Sequence, residues 1–172
     1  MSSSTPSQSR TDSKLEYAEL HLEEIETRLD KGGSESDAFE IAHEESFLFH
    51  LMGAKDAFLH EINDALGKPL PMKDVREMTL EDELEAKGAT SPALTELRKL
   101  QFDPSSWLAF ATECRNHGTH RHRVPRNYYD GVARRVEIRH PVSGQVMGEV
   151  PAILRSWLDE MQALILRLRP MV

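Results

Sequence analysis

A continuous amphipathic pattern over residues 37–66 constrains the fold of this 172-residue chain more than any other feature. Apolar residues recur there at the three- and four-residue spacing of one helix face. These residues are Ile41, Leu48, Leu51, Met52, Phe58, Leu59, Ile62 and Leu66. Gly67 and Pro69 then end the helix. A helix over this range would be about 45 Å long. Its apolar stripe must be covered by other elements, which favours a helical bundle.

Shorter patterns on both sides of this stretch predict the remaining elements. The predicted helices cover residues 14–31, 79–87, 92–100, 103–118 and 151–168. Residues 135–139 and 146–150 flank a turn at 141–144, which predicts a β-hairpin, whereas residues 121–131 are expected to be irregular. The predicted fold class is therefore all-α: an up-and-down helical bundle with a small β-hairpin inserted before the last helix.

Capping residues and tail composition set the expected boundaries. Asp103 and Pro104 fit the N-cap and N1 positions of a helix. Thr79 is the expected cap of the preceding acidic helix, and Thr90 or Ser91 that of the helix that starts at Pro92. Residues 1–13 are Ser-rich and polar, which predicts a disordered tail. Residues 14–172 would then form a single domain.

Two charged residues, Glu44 and Lys55, fall within the apolar stripe of the long helix. A buried charge requires a partner, because removing it from water is costly. Long charged side chains often bury their stems and keep their charged ends in water. We therefore expect both residues to lie at the edge of the stripe, with their charged groups solvated.

The charge distribution indicates a local site for an anionic ligand. The chain has a net charge of −8, with −11 in residues 1–100 and +3 in the remainder. Residues 115–140 contain seven arginines and only two acidic residues. An acidic body with one arginine-rich segment disfavours a surface that coats nucleic acid, and favours a confined anion site.

The only cysteine, Cys114, excludes an internal disulfide and fits a reducing cytoplasm. It shares an apolar face with Trp107 and Ala111, so we expect it in the core. No apolar run is long enough to span a membrane, and the N-terminus lacks the apolar stretch of a signal peptide. These features together predict a cytoplasmic protein without a membrane segment.

The candidate functional residues are Arg115, Asn116 and His120. An arginine holds phosphate through a planar fork of N–H donors, and a histidine transfers protons near neutral pH. In-line attack by a ribose 2′-OH needs a proton acceptor and a cation near the phosphate, and this segment supplies both. The residue types alone therefore point to phosphodiester chemistry.

This motif, an Arg-Asn pair followed after three residues by a histidine, resembles the signature of HEPN domains, which are small helical bundles of bacteria and archaea. The order of the helices is also similar, with a long second helix, a motif helix and a closing helix. The resemblance implies a metal-independent endoribonuclease or RNA-binding protein of a defence or toxin–antitoxin type. It implies a homodimer that brings two motifs together, no cofactor, and in some members a protein antitoxin or other partner.

Roles for individual residues follow from the resemblance. Arg115 would hold the scissile phosphate, Asn116 would orient neighbouring groups, and His120 would act as general acid or base. Three further arginines are candidates for RNA-backbone contacts, with a solvated surface as the alternative. They are Arg121, Arg123 and Arg126. Tyr128 and Tyr129 would stack on a base or pack the hairpin onto the bundle.

Other interpretations stay open. Many HEPN toxins carry a tyrosine two residues after the motif histidine, and His122 stands there instead, so regulation through that tyrosine is not supported. Arg115 would otherwise cap its own helix while His120 is solvated. The chain would then be a non-catalytic interaction module or an antitoxin-like partner. His43 and His50, about 10 Å apart along one helix, are too distant to bind one metal ion together.

Overall fold

The described ranges of the computed structural model form a mostly helical protein with one small antiparallel sheet. They are residues 4–30, 37–67, 69–120, 123–129 and 135–172. The helices are α1 (Pro6–Asp30), α2 (Asp37–Asp64), α3 (Glu77–Ala86), α4 (Pro92–Phe102), α5 (Trp107–His120) and α6 (Val150–Leu168). The strands are β1 (Arg126–Tyr129), β2 (Arg135–Arg139) and β3 (Val146–Glu149), and short 3-10 helices cover Met72–Asp74 and Arg169–Met171.

The predicted stripe of α2 forms the centre of the core. All its members are buried except Leu66, which packs against the core while partly exposed. α1 lies antiparallel to α2, since Ser7 contacts Asp64 near one end and His21 contacts His43 near the other. α6 covers this pair with a second continuous apolar face. No helix of the described ranges is long and apolar enough to cross a membrane.

The N-terminal helix begins earlier than expected. α1 starts at Pro6, so residues 6–13 are helical and do not belong to a disordered tail. Thr5 and Gln8 form a reciprocal cap: the Thr5 hydroxyl accepts from Gln8 N (3.2 Å), and the Gln8 side chain accepts from Thr5 N (2.9 Å). Tertiary contacts hold these turns, because Thr11 is fully buried.

Two other helix starts also differ from the expectation. α5 begins at Trp107, and its cap is Ser106, whose hydroxyl accepts from Ala109 N (3.0 Å). The Asp103 carboxylate instead accepts from Ser105. Thr79 is the third residue of α3, where its hydroxyl accepts from Arg76 N (3.0 Å). Ser91 caps α4 as predicted, by accepting from Leu94 N (3.2 Å).

The predicted hairpin is the β2–β3 part of a three-stranded sheet. β1 pairs antiparallel with β2, although its residues were expected to be irregular. β2 does not alternate cleanly, since Val136, Glu137 and Ile138 are all buried. The sheet therefore packs on the bundle through β2.

The expectation that Glu44 and Lys55 lie at a solvated edge is wrong. Glu44 is buried and forms an ion pair with Arg126 of β1; both side chains are 6% exposed. Lys55 pairs with Glu77 at the start of α3 (2.5 Å). Both charges are thus neutralised by partners distant in sequence, which attach the sheet and α3 to α2.

Candidate anion-binding site

Arg115 lies on α5 next to a buried apolar face. Leu108, Ala111 and Cys114 occupy that face and anchor the helix to the core. Arg115 is partly exposed, and its Nη1 donates to Asn116 Oδ1 (3.0 Å). Within the described ranges, no carboxylate pairs with Arg115 and no helix carbonyl accepts from its side chain. The guanidinium therefore keeps donors that an anion can use.

Arg115 lines a cavity of about 830 Å³ together with two cations of α1, Arg10 and Lys14. The other walls are the face of α2 from Phe49 to Asp64 and the loop at 69–72. This volume is in the usual range of small-molecule sites. The sequence did not reveal Arg10 and Lys14 as site residues, because they lie in or next to the segment that was expected to be disordered.

Lys14 is a buried cation without a carboxylate partner in the described part of the chain. The residue is 8% exposed and its stem packs against Gly53 of α2. Its Nζ lies 3.2 Å from His50 Nδ1 and 4.5 Å from the centre of the Phe49 ring. Burial and the nearby charge of Arg10 lower the pKa of Lys14. Its ammonium is thus incompletely compensated, and an anion in the cavity would stabilise it.

A histidine cluster adjoins this end of the cavity. His21 Nδ1 lies 3.1 Å from His43 Nδ1, and the His21 and His50 rings stack with centres 5.5 Å apart. Burial, followed by the charge of Lys14, lowers the pKa of His50 to about 4. Burial also lowers the pKa of His21. The imidazoles of His21 and His50 are therefore neutral near pH 7 and add no positive charge beside Lys14.

The opposite part of the cavity is apolar and well supported. The Asn63 side chain accepts from Leu70 N (2.8 Å) and donates to Leu70 O (3.0 Å). Since Asn63 itself is buried, these bonds hold the Pro69–Pro71 wall in place. The lining acids Asp56 and Asp64 contact Lys55 (3.7 Å) and the Ser7 hydroxyl (2.5 Å), respectively. The cavity thus has a cationic end and a preformed apolar wall.

The other motif residues have different surroundings. Asn116 is partly exposed and orients Arg115. His120 is the last residue of α5, but its side chain lies outside the described part of the structure. In an α-helix, positions 115 and 120 are about 140° apart around the axis. The backbone of α5 therefore does not present the two positions on one face.

Only one of the three arginines expected to contact RNA is available for it in the described structure. Arg123 is exposed, and Arg121 lies outside the described residues. Arg126 is buried against Glu44, so the prediction that it binds phosphate or faces solvent is wrong. Its charge balances a core carboxylate and stabilises the junction between the sheet and α2.

The remaining residues that the sequence singled out are the two tyrosines of β1 and the cysteine of α5. Tyr128 and Tyr129 are about half exposed, and the Tyr129 hydroxyl donates to Glu137 (2.9 Å). Cys114 is fully buried, as predicted, and burial raises the pKa of its thiol. Across the described residues, no group of three histidine, cysteine or acidic side chains is arranged to hold a metal ion.

The fold and site define a helical bundle with a small antiparallel sheet and a partly cationic cavity. Residues 5–171 match the family of unknown function DUF6586, and the chain belongs to that family. No curated protein and no solved structure matches the chain. The match begins at residue 5, so it includes the first turns of α1 and the two cations that they bring to the cavity.

Proposed function

We propose that this protein is a HEPN-like, metal-independent endoribonuclease in which Arg115 holds the scissile phosphate. The observation that carries the proposal is the environment of Arg115. It lines a cavity with Arg10 and Lys14 and has no carboxylate partner among the described residues. Three cations that lack carboxylate partners in the described part of this acidic protein favour an anionic ligand. Asn116 supports Arg115 through the 3.0 Å hydrogen bond.

The proposed catalytic unit is a homodimer. Arg115 and His120 occupy different faces of α5 by backbone position, so one phosphate is not readily served by both residues of the same copy. In the proposed arrangement, Arg115 of one copy and His120 of the other act on the same phosphodiester. His120 takes the 2′-OH proton or returns a proton to the leaving 5′ oxygen, and Arg115 stabilises the charge that develops on the phosphate.

RNA cleavage in the presence of EDTA tests this proposal. Wild-type protein should cut single-stranded RNA without added metal, whereas Arg115→Ala and His120→Ala should lose about 100-fold or more in rate. Lys99→Ala is a matched control, because it removes an exposed cation of α4 that does not line the cavity. The proposed ribonuclease activity would be refuted if all four proteins cleaved RNA at equal rates, or if the wild type cleaved none of a varied set of RNAs.

The alternative is a non-catalytic interaction module, which the same experiment separates from the enzyme. Arg115-dependent RNA binding without cleavage would leave an RNA-binding protein. Absence of both would favour a helical partner or antitoxin-like protein. For either form we propose a cytoplasmic location, since a chain with a single, buried cysteine fits a reducing compartment.

A further inference from the structure

The cavity beside Arg115 combines a cationic end with an apolar interior, and the proposed cleavage reaction does not use the interior. The cations come from α1 and α5, at the end of the cavity near Phe49. Ala57 and the Pro69–Met72 loop supply apolar surface along the rest. A ligand that fits both parts has one charged head and an apolar body.

We propose that this cavity binds a phosphate monoester with an unbranched apolar chain. The phosphate would lie among Arg10, Lys14 and Arg115, and the chain would extend along α2 towards Leu70. This inference goes beyond the proposed ribonuclease function. It shares Arg115 with that proposal and adds Arg10, Lys14 and the loop wall, to which the cleavage steps assign no role.

The charges at the cationic end favour a phosphate over a carboxylate. Arg10, Lys14 and Arg115 all line this cavity without carboxylate partners in the described structure, and the charge of Asp56 acts on Lys14. A phosphate monoester carries close to two negative charges at neutral pH and three acceptor oxygens. It can therefore engage two arginine forks and one ammonium together, whereas a carboxylate has only two oxygens.

The lining of the interior favours an apolar chain over a polyanion. Asp56 and Asp64 also line the cavity, Asp56 near Lys14 and Asp64 at the Ser7 hydroxyl, and they would repel further phosphates placed along it. The rest of the lining is mostly apolar and includes Ala57 and the Pro69–Met72 loop, although His60 also borders the cavity. Asn63 fixes the Leu70 wall through two hydrogen bonds, so the apolar channel exists before ligand binds, which reduces the entropic cost of binding.

Calorimetric titration of the full chain with small probes tests the ligand class. Octyl phosphate should bind at least tenfold more tightly than butyl phosphate, because each buried CH₂ contributes about fourfold in affinity. It should also bind more tightly than octanoate and than adenosine monophosphate. Equal affinity for octyl and butyl phosphate would overturn the apolar channel. Equal or tighter binding of octanoate or of the nucleotide would overturn the proposed ligand class.

Variants at both ends connect the binding to this cavity. Arg10→Ala should weaken octyl phosphate by about tenfold or more, since a charge-assisted hydrogen bond is lost, and Arg10 is exposed, so folding should be retained. Gly53→Ala offers a second variant. Its added Cβ would lie 3.1 Å from two carbons of the Lys14 stem and displace that flexible side chain, which should also weaken binding, although alanine favours the helix.

Two controls complete the design. Lys99→Ala should bind octyl phosphate like the wild type, because Lys99 does not line the cavity. Met72→Asn should weaken the binding of octyl phosphate but leave the binding of butyl phosphate unchanged, since Met72 borders the apolar part of the cavity. Unchanged octyl phosphate binding by Arg10→Ala and Gly53→Ala would overturn the inference. If RNA cleavage that depends on Arg115 occurs while octyl phosphate does not bind, only this inference fails and the ribonuclease proposal stands.

Discussion

Replacing Arg126 by methionine should destabilise the fold through the carboxylate that it leaves behind. Glu44 and Arg126 are each 6% exposed, so the variant removes the cationic partner of a buried carboxylate while approximately keeping the side-chain volume. Breaking a buried ion pair in this way costs about 3–5 kcal/mol. The free energy of unfolding of a domain of this size is about 5–15 kcal/mol, so the loss is a large part of the total stability.

The same geometry predicts that removing both charges restores stability. Arg126 Nε is buried without a hydrogen-bond partner in the described structure, so the pair does not fully recover the cost of desolvating its charges. Replacement of such pairs by apolar residues is often neutral or stabilising. The free energy of unfolding of the double variant Glu44→Met/Arg126→Met should therefore lie within about 1 kcal/mol of the wild-type value.

Urea denaturation followed by circular dichroism at 222 nm measures both effects. With a slope of about 2 kcal/mol per molar urea, the Arg126→Met midpoint should fall by about 1.5–2.5 M, and the double variant should return close to the wild-type midpoint. At the same slope, a midpoint shift of about 0.3 M corresponds to only about 0.6 kcal/mol. An Arg126→Met midpoint that close to the wild-type value would show that the ion pair does not stabilise the fold as predicted.

Three further predictions concern the cap, the histidine cluster and the cysteine. Ser106→Ala should destabilise the protein by about 1 kcal/mol in urea denaturation, because its hydroxyl caps α5, whereas Ser105→Ala, which removes no cap of this helix, should change it far less. His50→Gln should lessen the loss of stability as the pH falls from 6.5 to 4: the unfolded histidine takes up a proton near pH 6.5, but the folded one does so only near its pKa of about 4. Because the ring is partly open to solvent, the difference between variant and wild type should be about 1–2 kcal/mol in denaturation at the two pH values, and parallel pH profiles would contradict it. Cys114, buried with a raised thiol pKa, should react with a thiol reagent only after denaturant is added, and rapid labelling of the native protein would contradict its burial.

Helix positions followed from apolar spacing wherever that spacing was long and continuous. The stripe of α2 and the range of α6 were predicted correctly, because a helix that buries one face has apolar residues at regular helical spacing. β1 left no such record: Arg126–Tyr129 contains no buried apolar alternation, and its strand state depends on pairing with β2. Its attachment through Glu44 joins residues 82 positions apart, which no local pattern reveals.

The first turns of α1 were missed although a signal was present. Serine-rich composition favoured disorder, but Thr5 and Gln8 have the spacing of a capping box, and Pro6 suits the first helical position. Reading them as a helix start would have put Arg10 and Lys14 one turn apart on one face. Arg115 itself was found from residue chemistry alone, whereas its cavity depends on the antiparallel packing of α1 on α2.

The central claim is that Arg115 and His120 act on one phosphate, and mixing two inactive variants tests it most directly. Arg115→Ala and His120→Ala proteins, each inactive alone in EDTA, should together recover about a quarter of wild-type cleavage. Half of the dimers are then mixed, and each contains one intact composite site. Recovery should require time for subunit exchange. If the wild type cleaves RNA but the mixture stays inactive after exchange, or if either variant alone remains fully active, the account is contradicted.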